Sequence, residues 1–232
     1  MNIAISGYTA AGKTTHARLL ADALGYEHVW AAGRLLEKLG YDTSAIDESR
    51  TWFERYLEIA RSRGLADVDE HLDAELQDLA RDRSDLVIDA RFFPWVATSP
   101  CIFVWIESDL PSRARKCAVS LGQGAPTVDE CADHVQSKDA IDIAMVDRRF
   151  EASFAPSERR FNIIVDNSTL IPLPTAECAE KGIERFHPYL LATFQAARGE
   201  PRHLAHLKRQ NPEEFLQVVR FVSGKSTAPD PR

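Results

Sequence analysis

Read from its first residue, the chain opens with a short apolar run, Asn2-Ile3-Ala4-Ile5-Ser6, that stops at Gly7. Such a run, ended by glycine, predicts a buried strand feeding a loop. An apolar stripe over Ala17, Leu19, Leu20, Ala23 and Leu24 predicts a helix over 13–24, with Gly25 as its stop. Residues 26–32 form a candidate second strand. From 35 to about 83 the pattern is mainly helical, with Trp52, Phe53, Tyr56, Leu57 and Ala60 on one face and Leu72, Leu76 and Leu79 on another. Two continuous runs, Leu86-Val87-Ile88 and Cys101-Ile102-Phe103-Val104-Trp105-Ile106, predict parallel strands covered on both faces, because neither alternates with polar residues. After Pro111 an Arg-rich helix runs to Leu121; a Gly122-Gln123-Gly124 break follows, and Thr127 or Asp129 caps a helix reaching Phe150. Phe161-Asn162-Ile163-Ile164-Val165-Asp166 is the fifth strand, residues 172–197 hold another helix, and about 200–222 reads as an appended helical tail with a disordered end. No internal repeat is visible.

Strands alternating with helices predict an α/β fold of three layers, with five parallel strands in the central sheet and ligands outside their carboxyl ends. The 232 residues, 44% of them hydrophobic, suffice for one substantial core. A net charge of −7 and a pI near 5.5 argue against a protein whose main task is gripping a nucleic-acid backbone. Cys101, Cys117, Cys131 and Cys178 form no CxxC pair, which predicts reduced thiols and no zinc site. Without a long apolar span or a charged leader, the expectation is a cytoplasmic protein with no membrane partner, monomeric or homodimeric.

The chemistry begins at Gly7-Tyr8-Thr9-Ala10-Ala11-Gly12-Lys13-Thr14, which matches G-x-x-x-x-G-K-[ST] and falls where a strand is predicted to hand over to a helix. The glycines let backbone N–H groups turn inward around phosphate, the Lys supplies a mobile positive charge and the hydroxyl ligates Mg²⁺. The candidate nucleotide-binding residues are therefore Gly7, Thr9, Ala10, Ala11, Gly12, Lys13, Thr14 and Thr15. Thr15 either meets an α-phosphate or stabilises the first helical turn. No Asn-Lys-x-Asp segment for reading guanine occurs, and the apolar strand before Asp89 ends in a single acid. Among P-loop NTPases, a small ATP- and Mg²⁺-using kinase fits best.

Ile5-Ser6-Gly7 through Thr15, Ala31-Ala32-Gly33, Asp69 to Asp73, Asp89-Ala90-Arg91 and the Arg113 helix occur in the order found in cytidylate kinases, and the chain resembles that family over about residues 1–170. The resemblance implies a P-loop kinase domain over 1–199, with a helical acceptor-binding insertion at about 34–83 and a short lid at about 118–150; residues 200–232 lie outside it. It implies transfer of the γ-phosphate of ATP to CMP, dCMP or a related small-molecule acceptor. Asp69 and Asp73, four apart on one helical face, would shape the acceptor pocket. Arg91 would grip the acceptor phosphate through its planar fork. Asp89 either orients a water on Mg²⁺ or serves as a cap or salt-bridge partner. Arg113, Arg115, Lys116, Arg148 and Arg149 are candidate lid cations.

The departures bear on the acceptor. The family's S-A-G-D-x-x-R reads Ala31-Ala32-Gly33-Arg34-Leu35-Leu36-Glu37, placing Arg34 where an acid is usual, and Ala74 replaces an arginine after Asp73. The lid pattern R-D-x-x-D-x-x-R aligns with Lys138 to Met145, with Met145 in the last arginine's place. Each lost arginine removes a charge-assisted contact of about 1.5 to 3 kcal/mol. A kinase of another hydroxyl compound, and an NTP-binding regulator with decayed catalysis, are thus the alternative expectations. Trp30, Trp52, Phe92, Phe93 and Trp95 either stack on a ring or fill the core.

Overall fold

The computed structural model describes residues 1–43, 48–65, 67–122, 124 and 126–223. The opening run is β1 (Asn2–Ser6), and the Lys13 helix is α1 (Lys13–Leu24), ending on Gly25 at φ 67°. They are followed by β2 (Glu27–Trp30), α2 (Ala31–Lys38), α3 (Glu48–Leu65), α4 (Val68–Asp82), β3 (Leu86–Asp89) and the single turn α5 (Phe93–Val96). The remainder is β4 (Cys101–Glu107), α6 (Leu110–Leu121), α7 (Val128–Phe150), β5 (Ile163–Asp166), α8 (Ala176–Ala197), α9 (Arg202–Gln210), α10 (Pro212–Val218) and β6 (Val219–Val222).

The sheet runs β2-β3-β1-β4-β5-β6, with β1 paired in parallel to both β3 and β4. Alternate residues of each central strand face opposite layers. Ala4, Ile88, Phe103 and Trp105 join a core completed by Leu72, Leu76 and Phe161, whereas Ile3, Ile5, Val87 and Val104 join one completed by Leu20, Phe186 and Leu190. Both faces are covered, so the strands read as unbroken apolar runs. The register sets Ile5 beside Asp89 and Ser6 beside Trp105, so the loop after β1 and the acid ending β3 emerge together.

Two expectations are corrected. Among the described residues the sheet has six strands, not five, because the end of the expected helical tail is the strand β6, antiparallel to β5 with Ile164 opposite Phe221. The edge of β5 leaves backbone groups to be satisfied, and pairing there outweighs the local helical pattern. The second strand stops at Trp30 rather than running to 32; Ala31, Ala32 and Gly33 form the first turn of α2, where a Cβ on Gly33 would lie 2.1 Å from the Trp30 ring. As expected, a single helix reaches Phe150: α7 has 23 residues, is started by a Thr127–Glu130 capping box, and buries Lys138, Asp139, Asp142 and Val146. Of the expected break, Gln123 lies outside the described residues, as does the expected disordered end over 224–232.

Candidate active site

The loop leaves β1 in a conformation that its own residue types demand. Gly7 adopts φ 149°, and a Cβ there would lie 2.5 Å from the Ile106 carbonyl oxygen; Gly12 adopts φ 90°. Both positions favour glycine. Lys13, Thr14 and Thr15 open α1, placing the helix's first N–H groups and its positive dipole end at the loop mouth. The Lys13 ammonium donates to the Tyr8 carbonyl at 2.8 Å. Burial, followed by the neighbouring Arg91 charge, brings its pKa down to about 8.

Thr9, Ala10, Gly12, Lys13, Thr14 and Thr15 line a cavity of about 440 Å³, within the size range of small-molecule sites. Beyond the loop, one end is walled by Lys116, Asn167 and Ile183, and the other by Trp52, Asp69, Asp73, Asp89 and Arg91. A polyphosphate with its metal fits the donor set present: Lys13 and Thr14 face the space, and the buried Thr9 hydroxyl has no protein partner. Gly7 and Ala11 shape the loop from behind rather than lining the cavity.

The sequence-predicted acceptor residues divide. Of the predicted acceptor residues, Asp69, Asp73 and Arg91 share the cavity wall with the predicted metal ligand Asp89, whereas the acceptor candidate Arg34 and the lid candidates Arg113 and Arg149 stand outside it. Arg91 is ion-paired with Asp142, leaving its buried Nε without a partner. Arg149 donates to Asp73 at 2.6 Å. Arg34 is ion-paired with Glu75, which also takes Lys38 at 2.8 Å. Arg113 is buried behind the loop, on the Ser108 and Thr9 carbonyls and the Asp139 carboxylate. Asp89 is 5% exposed, with the His28 Nε2 3.9 Å away. Among the aromatics, Trp52, Phe92 and Phe93 reach the cavity, whereas Trp30 and Trp95 do not line it.

Other cavity residues carried weaker signals. Asn167 donates to the Ala11 carbonyl at 2.9 Å and accepts from Lys116, whose ammonium also meets Ser108 at 2.8 Å. Burial holds Lys116 down at about 7. Asn167 follows a predicted strand end at the sheet's carboxyl edge, the one sequence cue that could have flagged it. Lys138, in the lid pattern, places its ammonium 4.4 Å from the Trp52 ring centroid and lines the cavity, while Phe53 stacks on His134 at 4.1 Å. Met145 packs against the sheet core.

No family model matches the chain. It is 33% identical over 123 residues to a cytidylate kinase of Halobacterium salinarum, covering 51% of this chain and 57% of that protein. A cytidylate kinase of Thermococcus kodakarensis is 24% identical over 116 residues, covering 50% and 55%. The chain therefore spans a little over half the length of the curated relatives it matches. Among solved structures, an uncharacterized protein from Eubacterium ventriosum superimposes with a TM-score of 0.50 at 14% identity, covering 81% of this chain and 98% of that one. Over about half its length the chain is similar to cytidylate kinases, and its own glycine loop sits at the carboxyl edge of the parallel strands.

Proposed function

We propose that this chain is an ATP-dependent phosphotransferase acting on a nucleoside monophosphate, CMP, dCMP or a modified analogue. The observation that carries the reading is one continuous cavity joining the Lys13 loop to Asp69, Asp73 and Arg91. When bound, Mg²⁺·ATP supplies the transferable phosphoryl group. Lys13 and the first amides of α1 hold the polyphosphate, and Thr14 with Asp89 holds the metal. Arg91 exchanges its Asp142 partner for the acceptor phosphate, an already anionic nucleophile that needs no base. Trp52 and Lys138 exclude water from the acceptor end. Residues 1–199 form this catalytic unit, with about 34–83 receiving the acceptor and about 118–150 as its lid; 200–232 extend it.

A coupled ADP-release assay over a panel of nucleotides tests the reading, and turnover with no nucleotide acceptor at all would sink it. A second reading, transfer to a hydroxyl of another small compound, is favoured by three carboxylates in the cavity wall, any of which can take a hydroxyl proton. Turnover of sugars or other alcohols, and not of nucleotides, decides for it. Binding of ATP with neither transfer nor hydrolysis points instead to a regulator.

A further inference from the structure

The phosphate loop is gripped from outside the cavity by one buried ion pair. Asp139, on α7, accepts the Thr9 backbone N–H at 2.9 Å through Oδ1 and takes Arg113 Nη1 through Oδ2. The same Nη1 donates to the Thr9 carbonyl at 3.2 Å, and Arg113 Nε donates to the Ser108 carbonyl at 3.0 Å. Both backbone groups of Thr9 therefore end on this pair. The guanidinium also lies 5.1 Å from the Tyr8 ring centroid. Thr9, Arg113 and Asp139 are 9%, 7% and 5% exposed, so bulk water is poorly placed to replace a lost partner.

The next residue, Ala10, holds φ at 59°, a conformation that a non-glycine residue adopts only when its surroundings impose it. A loop that includes such a residue relies on contacts outside itself. We infer that Asp139 and Arg113 are a positioning pair that holds the Tyr8-Thr9-Ala10 stretch in its phosphate-receiving shape. Arg113 then serves the loop and does not touch the transferred group. The pair reaches the loop because α6 and α7 pack on each other through Cys117, Cys131 and Val135. The segment expected to act as a lid, about 118–150, thus supplies through Asp139 part of the loop's foundation. This inference rests on the phosphate-loop reading only for its consequence in nucleotide binding.

Hydrogen exchange over amides 8–12 in the nucleotide-free protein tests the brace without a ligand, and calorimetry with Mg²⁺·ATP tests its consequence. Asp139→Ala should exchange about tenfold faster there and bind Mg²⁺·ATP about tenfold more weakly, with the acceptor KM within about twofold of the parent. Asp139→Asn keeps an oxygen for the Thr9 amide but no charge for Arg113, and should fall between. Parental exchange and parental affinity in Asp139→Ala would overturn the inference. If Asp139→Ala does not fold, an Asp139→Asn protein matching the parent in both readouts overturns it instead. Should the parent bind no Mg²⁺·ATP, the phosphotransferase reading falls while the exchange result still decides the brace.

Discussion

The two ends of the cavity are built by different means. The proposed donor end is a contiguous loop whose shape comes from backbone: positive φ at Gly12, no room for a Cβ at Gly7, and a helix start immediately after. The proposed acceptor end is assembled from α3, α4, the end of β3 and α7, and its charged side chains are held by partners far away in the chain. Arg91 meets Asp142 across 51 positions and Arg149 meets Asp73 across 76. A site made of backbone depends on conformation, which few residue types can supply. One made of side-chain pairs is retunable by single substitutions, although the Arg34, Ala74 and Met145 departures themselves lie outside the cavity wall.

Removing the donor cation should break the contrast most severely. Lys13→Ala is expected to cut phosphotransfer about 10²- to 10³-fold with the fold intact by circular dichroism, since a charge aimed at developing phosphate charge is lost. Residual turnover near the parental rate would remove Lys13 from its role. On the acceptor side, Arg91→Ala should raise the acceptor KM about 10- to 100-fold while changing the donor KM by about twofold or less. A donor effect as large as the acceptor effect would erase the division between the two ends.

Gly7→Ala should cost about 2 kcal/mol of stability by urea unfolding, because its Cβ would meet the Ile106 carbonyl oxygen at 2.5 Å. Gly25→Ala, at φ 67° with nothing within 4 Å, should cost about 1 kcal/mol. Equal losses would show that backbone strain and not the close approach sets the requirement at Gly7.

A pH-dependent effect concerns Lys116, held at about 7 in the fold by burial against 10.5 ordinarily. Between those values the unfolded chain carries a proton that the folded chain lacks, so this group makes native stability rise with pH over that window. Lys116→Met removes the dependence. Its stability advantage at pH 6 should shrink by about 2 to 3 kcal/mol by pH 9, and a constant difference in scanning calorimetry would refute the shift.

Much of the architecture was legible because local signals agreed with the tertiary environment. The apolar runs of β1, β3 and β4 required cover on both faces and received it. Thr127 was one of two caps open to α7, and the structure selects it through its reciprocal contacts with Glu130. Where local pattern and environment disagreed, environment decided. Val219 to Val222 continue an apolar pattern that suits a helix, yet they complete the open edge of β5. Arg113 sits on the expected helix, but only the packing of α6 against α7 turns it toward Asp139 and away from the cavity.

By itself, the sequence determined the strand, the glycine loop and the helix start on which the proposed anion site is built, because each depends on residues within a few positions of one another. The tertiary structure alone decided which carboxylate holds which arginine, and which of them face the cavity. Those outcomes depend on contacts between elements whose separation along the chain carries no local signal.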